Sequence, residues 1–363
     1  MQIAEKPATN QAHGMPNYYY TSQEIYEQER QVIFQRTWQI VGRQETLAKS
    51  GDYLTCQIGG EPLVVIRNEM GELHAMRNVC AHRGMRLAEG CGNYKRLFCP
   101  YHGWTYDLNG QLRGVPFENH LPQLDKESVR LVQAQVDTWG GFVFVNLAVD
   151  APSLRASLGG MIARWEESLP DWSRLREVRR YTYDKPINWK IFMENSTDYY
   201  HIPFIHSETL SLPPILENVA CGQHFMLTSI TPAENYRRFF DLLFPSMYFH
   251  VGYSKIQLFQ VYPVSAVASQ IVITQYQTPE QAETYPINDP RKHNDIDQIL
   301  HEDFAICRVL QEQASSQAYQ IRYTAHDLEE GVDHFDKMVL TALAHSQVVL
   351  PEAAYRNGVT PKH

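Results

Sequence analysis

Cys80-Ala81-His82, then sixteen residues, then Cys99-Pro100-Tyr101-His102: this stretch decides the fold, because each half offers one thiol and one imidazole. The two halves must lie side by side before their four side chains can share one centre. The chain between them carries Gly84, Gly90, Gly92 and Asn93, turn residues that let it fold back. Beyond the second half, Trp104-Thr105-Tyr106-Asp107-Leu108 and Gln111-Leu112-Arg113 flank Asn109-Gly110, a strong hairpin signal. The expected host is a small β module that holds two ligand loops together.

A second stretch reads Glu194-Asn195-Ser196-Thr197-Asp198-Tyr199-Tyr200-His201-Ile202-Pro203-Phe204-Ile205-His206. From Trp189 to Tyr200 there is no Pro or Gly, and the run predicts a helix. On it Asp198 and His201, at i and i+3, share one side. Pro203 is expected to end that helix, leaving His206 free to turn back towards the same point. Two His and a carboxylate on one face are the donor set of a mononuclear non-haem iron with open positions opposite.

Two thiolates on one iron and two imidazoles on the other make the Rieske form of a [2Fe–2S] cluster, which the C-x-H and C-x2-H loops supply through Cys80, His82, Cys99 and His102. A structural zinc site could use the same four side chains, but zinc modules usually pair like ligands. Taken with the second stretch, the chain resembles the α subunits of the Rieske non-haem iron oxygenases, also called ring-hydroxylating oxygenases. The family pattern E-N-x2-D-x2-H-x4-H, preceded by N-W-K, stands here as Glu194-Asn195, Asp198, His201 and His206 after Asn188-Trp189-Lys190, without departure. Respiratory-type Rieske carriers have a further Cys in each loop; His82-Arg83-Gly84-Met85 and Pro100-Tyr101-His102-Gly103 have none, which favours the oxygenase type.

The resemblance implies that His201 and His206 bind iron. It also implies that Asp198 is a conduit, bonded to His201 and, across a subunit boundary, to the cluster ligand His102 of a neighbour. The family places the third ligand far downstream on a long helix, often within a Glu-Asp pair. The run from Asn294 to Gln317 has helical periodicity, and at about 100° per residue Ile296, Ile299, Leu300, Phe304, Ile306, Cys307 and Leu310 share one face. Asp303 falls near the middle of that face, whereas Glu302, Asp297 and Asp295 fall at or beyond its edges. A carboxylate on an inward stripe is costly unless paired or metal-bound. Asp303 therefore completes the triad, with Glu302 as the reserve. Asn195 is a candidate to orient oxygen or substrate.

At 363 residues, two domains are expected. The divisions are an N-terminal helical segment over 1–38 packing on the catalytic domain, an all-β Rieske domain over 39–150, and a catalytic iron domain over 151–363. The fold class is α+β, with helices laid on an antiparallel sheet. Thr21-Ser22-Gln23-Glu24 resembles a capping box opening a helix to about Arg36. Strands are expected at Tyr53–Ile58, Leu63–Arg67, Gly141–Asn146, Glu177–Asp184, Phe225–Ile230, Met247–Gly252, Ile256–Val261 and Gln270–Gln277, with a last helix near Asp336–Ser346.

The formal net charge of −9 argues against nucleic acid. No apolar run nears the roughly 20 residues of a membrane span, and Met1 to Pro16 shows no signal-peptide pattern. Beyond Cys80 and Cys99, the remaining Cys56, Cys91, Cys221 and Cys307 show no pairing pattern, as in a reduced cytoplasmic chain. Arg83, Arg86, Lys95 and Arg96 gather around the ligand loops, as a solvated rim or as a docking patch for an acidic ferredoxin or reductase.

The resemblance implies a terminal oxygenase in a head-to-tail homotrimer. It would take O2, a small-molecule substrate, and electrons from NAD(P)H through a separate ferredoxin or flavin reductase, since no dinucleotide fingerprint is present. The compact, ungapped chain favours monohydroxylation or oxidative demethylation. The alternatives are cis-dihydroxylation of an aromatic ring, where in many relatives a glycine precedes the acidic residue that here follows Thr197, and a non-catalytic electron carrier. A quaternary ammonium substrate would need an aromatic cage, and the 21 tyrosines do not place one. Phe204, Phe240, Tyr253 and Phe259 are candidate pocket walls.

Overall fold

The computed structural model describes residues 14–169, 171–210, 215–231, 236–287, 296–316, 318, 323–325 and 327–344. Three antiparallel sheets organise them. The first runs, in spatial order, Gln39–Arg43, Phe142–Asn146, Gln133–Trp139, Leu73–Arg77, Glu61–Arg67, Asp52–Ile58 and Cys91–Asn93. The Glu61–Arg67 strand buries Leu63, Val64, Val65 and Ile66 in succession, the unbroken apolar run of a strand covered on both faces. Leu63 and Val65 pack with Val143 and Val145. Val64 and Ile66 pack beneath Cys80, Cys99, Trp104 and Tyr106. The thiols thus belong to a hydrophobic core. Leu97–Phe98, Thr105–Tyr106 and Leu112–Gly114 form the small sheet around the Asn109-Gly110 turn. Gly110 sits at φ 84°, a left-handed conformation that glycine takes without penalty.

The third sheet has the order Arg176–Lys185, Ala268–Gln277, Ile256–Ser265, Met247–Val251, Tyr236–Leu243, His224–Thr231 and Ile215–Cys221. One face (Leu243, Met247, Phe249, Leu258) packs on Phe142, Trp165 and Trp172. The other (Phe225, Leu242, Phe259, Ile273) carries the helices Trp189–Thr197, Ile296–Gln313 and Glu330–Ala344 through Trp189, Phe192, Phe304 and Phe335. The α+β architecture is as expected. Within this sheet two strands lie outside the expected set, Ile215–Cys221 and Tyr236–Leu243. Glu217, Asn218, Arg237, Arg238 and Asp241 break their apolar alternation.

The helix opened by Ser22, whose hydroxyl accepts from Ile25 N (3.3 Å), ends at Val32, short of Arg36; a 3-10 turn, Phe34–Arg36, follows. The Asp303 helix spans Ile296–Gln313, and the last one Glu330–Ala344; Asp295 and Ser346 lie outside the described residues.

One buried histidine carries a pH prediction. His224 donates from Nε2 to Ser157 O (3.0 Å) and accepts at Nδ1 from Phe244 N (3.0 Å), so only the neutral ring satisfies both. Burial holds its pKa down at about 4, against an ordinary 6.5. A depressed pKa contributes stability above pH 6.5 that is lost as pH falls towards 4, roughly 3 kcal/mol for a shift of this size. In urea titrations from pH 7 to 4.5, His224→Gln, which can make both bonds without titrating, is expected to lose stability less steeply than the parent. Parallel slopes would reject this.

Candidate metal centres

The two ligand loops are built alike. In the first, Gly84 N donates to Cys80 O (2.9 Å) and Cys80 N to Met85 O (2.8 Å). In the second, Gly103 N donates to Cys99 O (3.0 Å) and Cys99 N to Trp104 O (2.8 Å). Both glycines stand at φ 74°. Each loop is thus a Cys-to-Gly turn that a side chain at the glycine would strain. Cys80 and Cys99 are buried, while His82 and His102 are exposed at the tip. The imidazole rings lie 4.6 Å apart, with His82 stacked on Trp104 at 4.8 Å.

That division, thiols in the core and imidazoles at the surface, fits a two-iron cluster with one iron inward and one outward. Tyr106 was not foreseen: its hydroxyl lies 3.2 Å from Cys80 Sγ and accepts from Ala81 N (3.1 Å). Arg83, Arg86, Lys95 and Arg96 are all exposed beside the tip, together with Phe98 and Tyr101.

The second centre departs locally from expectation. The helix stops at Thr197, not Tyr200, so Asp198 and His201 do not share a helical face. Ser196 Oγ and Thr197 Oγ1 bond back to Phe192 O (2.7 Å) and Met193 O (3.1 Å), and Asp198 leaves the helix in an extended conformation. Its Oδ1 then accepts from Tyr200 N (2.5 Å) and His201 N (3.3 Å), capping a new turn. Pro203 opens the short helix Ile202–Ile205 instead of closing the previous one. His201 and His206 bracket that helix.

The geometry of the trio is compact. His201 Nε2 lies 3.2 Å from His206 Nε2 and 3.5 Å from Asp303 Oδ1, and His206 Nε2 lies 3.0 Å from that oxygen. A metal bonded at about 2.1 Å to three mutually perpendicular donors separates them by about 3.0 Å, so the spacing fits one face of such a site. The outer bonds set the tautomers. His206 Nδ1 lies 2.7 Å from Glu302 Oε2, which also accepts from Thr209 Oγ1 (2.6 Å). A carboxylate can only accept, so Nδ1 carries the proton and Nε2 presents its lone pair inward.

His201 Nδ1 approaches Asp198 Oδ2 at 3.3 Å, off the hydrogen-bond line. Asn195 Nδ2 donates to Asp303 Oδ1 (2.8 Å). Burial alone would lower the His201 pKa, but Asp198 and Asp303 outweigh it and raise it to about 9. Burial likewise works against the Asp303 carboxylate, yet the bonds from His201, His206 and Asn195 hold it below its ordinary value. The corner is built for positive charge. Glu302, the reserve ligand, stands behind His206, outside the trio; its neighbouring position on the helix was the only sequence signal.

A cavity of about 510 Å³ reaches this corner, walled among others by Tyr20, Glu194, Asn195, Asp198, His201 and Leu310. Of the candidate pocket walls, Phe204 is exposed and Tyr253 packs on Tyr285, while Phe240 and Phe259 face the metal side in contact with His250 and Tyr248. No helix among the described residues is long and apolar enough to cross a membrane.

Both stretches fall within segments that match known families. Residues 37–125 match the Rieske [2Fe-2S] domain, and residues 172–237 and 223–345 match the ring hydroxylating alpha subunit catalytic domain. The chain is 34% identical over 191 residues to a carnitine monooxygenase oxygenase subunit from Acinetobacter baumannii, covering 52% of each chain. It is 39% identical over 196 residues to a biphenyl 2,3-dioxygenase subunit alpha from Rhodococcus jostii, covering 50% of this chain and 41% of the relative. The matched stretch thus spans about half the length of these curated relatives. A quaternary ammonium Rieske monooxygenase solved with L-carnitine superposes with a TM-score of 0.78 at 25% identity, over 94% of this chain and 100% of that one. With both family models matched in the order in which the two ligand sets occur along the chain, the protein belongs to the Rieske non-haem iron oxygenases, as one of their α subunits.

Proposed function

We propose that this chain is a terminal oxygenase that uses O2 and electrons from a separate ferredoxin or flavin reductase to monohydroxylate or oxidatively demethylate a small organic molecule. The carrying observation is the trio of inward donors, two of them backed by a carboxylate, at the edge of a cavity. A bare electron carrier has no use for it. Cys80, His82, Cys99 and His102 hold the cluster, and His201, His206 and Asp303 hold the iron, which when bound supplies redox chemistry with positions left open for oxygen and substrate. Glu302 fixes the tautomer of His206, and Asp198 stands behind His201 Nδ1. Asn195 orients Asp303.

Charge moves between copies. The exposed His102 of one subunit meets Asp198 of the next in a head-to-tail homotrimer, and Asp198 passes the connection to His201. The loosely aligned Asp198 Oδ2 supports this, because it has room to serve two partners. The proposed division of the chain keeps the segment over 1–38, the cluster domain over 39–150 and the iron domain over 151–363. No disulfide joins any of the six cysteines, which supports a cytoplasmic location. A second reading, cis-dihydroxylation of an aromatic ring, is supported by the 39% identity to the biphenyl dioxygenase subunit.

Asp198→Asn keeps an oxygen to cap Tyr200 N and His201 N but removes the charge. It is expected to retain both metals and to lower reductase-driven, substrate-stimulated O2 uptake by about 10²-fold, the upper range for a residue supporting a metal ligand. Parent-level uptake would remove the conduit. Substrate-stimulated uptake that yields no oxygenated product would remove the oxygenase reading.

A further inference from the structure

The two ligand loops lie side by side, but each closes on itself: Cys80 bonds to Gly84 and Met85, and Cys99 to Gly103 and Trp104. The buried Asn78 ties down the far end of the first loop. Its Oδ1 accepts from Leu87 N and Ala88 N (3.0 Å each), and its Nδ2 donates to Ala88 O (2.8 Å). Among the described residues, no backbone hydrogen bond and no disulfide runs from residues 80–88 to residues 97–106. Without metal, the two halves of the ligand set are joined through side chains.

Those side chains come from the extended segment that follows His102. Along it Trp104, Tyr106 and Leu108 are buried in alternation with the half-buried Thr105 and Asp107. Trp104 stacks on His82 (4.8 Å, 7° between planes). The Tyr106 hydroxyl reaches Ala81 N (3.1 Å) and Cys80 Sγ (3.2 Å). The second loop thus sends one side chain to each ligand of the first.

Proton accounting fixes the direction of the bond to sulfur. A phenol has one proton to give and lone pairs to receive. Ala81 N–H occupies a lone pair, which leaves the proton for Cys80. A metal-bound cysteine is a thiolate and can only accept. Burial and the bond to Cys80 push the Tyr106 pKa up, so the proton stays on the phenol, and the side chain is fully buried, so water does not compete for it. A hydrogen bond to a cluster sulfur stabilises negative charge there. Reduction adds one electron and no atom, so the reduced cluster gains more from the bond than the oxidised one, and the potential rises. We propose that Tyr106 is the latch between the two ligand loops and, acting through Cys80, a positioning residue that raises the potential of the cluster. The proposal rests on the reading of Cys80 as a cluster ligand.

The test is a redox titration of the full chain carrying both metals, followed by the absorption and EPR signal of the cluster. Tyr106→Phe keeps the ring and removes only the hydroxyl. Its reduction equilibrium constant is expected to fall about tenfold, a drop of about 59 mV for one electron, and its cluster to bleach several-fold faster under a chelator. Fluorotyrosine at position 106, a more acidic phenol of nearly the same shape, is expected to move the potential the opposite way; it decides the matter if Tyr106→Phe fails to hold a cluster. Faster cluster loss at an unchanged potential would leave Tyr106 a packing role and overturn the proposal. So would an unmoved or lowered potential with fluorotyrosine. A Cys80→Ala chain that keeps the cluster intact would remove the reading of Cys80 instead.

Discussion

Asp303→Ala is expected to release the mononuclear iron while leaving the cluster in place, so that metal content falls from about three irons per chain to about two. Two neutral imidazoles remain, and without the carboxylate nothing offsets the divalent charge in a corner where Asp303 lies at 3.0 and 3.5 Å from the paired Nε2 atoms. Substrate-stimulated O2 uptake should drop by more than the roughly 10²-fold seen on losing a residue that only supports a metal ligand. Glu302→Ala provides the contrast. It frees His206 Nδ1 and Thr209 Oγ1 of their shared acceptor, and should weaken iron by about 10–100-fold without abolishing it. Iron analysis and visible absorption check both. An Asp303→Ala protein that keeps its third iron, or a Glu302→Ala protein that loses it outright, would reverse the two assignments.

Glu29→Leu is expected to cost about 3–5 kcal/mol, the range for stranding a buried charge. Glu29 Oε1 and Lys190 Nζ meet at 2.5 Å with both side chains fully buried, and Trp189 Nε1 donates to Glu29 Oε2 (2.8 Å). Burial pulls the Lys190 pKa down, so its charge depends on Glu29. The pair ties the Gln23–Val32 helix to the first turn of the Trp189–Thr197 helix, which Asn188 caps through Lys190 N (2.9 Å) while bonding to Ala266 O (2.6 Å). Chemical denaturation reads the loss. The double variant Glu29→Leu/Lys190→Met should recover most of it, because removing both charges deletes the desolvation cost as well. A double variant no better than the single would mean that packing, not charge, sets the effect.

Legibility followed the length scale of each signal. The cluster ligands lie within 23 residues of one another and could be read from spacing alone. Asp303 was legible through helix phase, and the structure sets it beside His201 and His206. The stop at Thr197 was not legible, because it depends on Ser196 and Thr197 turning their hydroxyls onto the preceding carbonyls, a choice that the same residues on a solvated helix need not make. The role of Glu302 was hidden for a related reason: only the fold brings His206 and Thr209, 96 and 93 residues away, against its carboxylate. Glu29 with Lys190, and Asp241 with Arg164 and Trp165, are buried polar groups whose partners lie far away in sequence. No local pattern announces them.

The trio also sets an order of assembly. His206 and Asp303 stand 97 residues apart, and Asp303 reaches them only once its helix has docked on the sheet. The Cys80 and Cys99 loops close within one small module. During synthesis the first ligand set is complete while the second still lacks a member that has not been made. A chain truncated before Asp303 should therefore be able to acquire a cluster yet remain unable to retain the other iron, and long-range pairing of this kind is the slow part of folding.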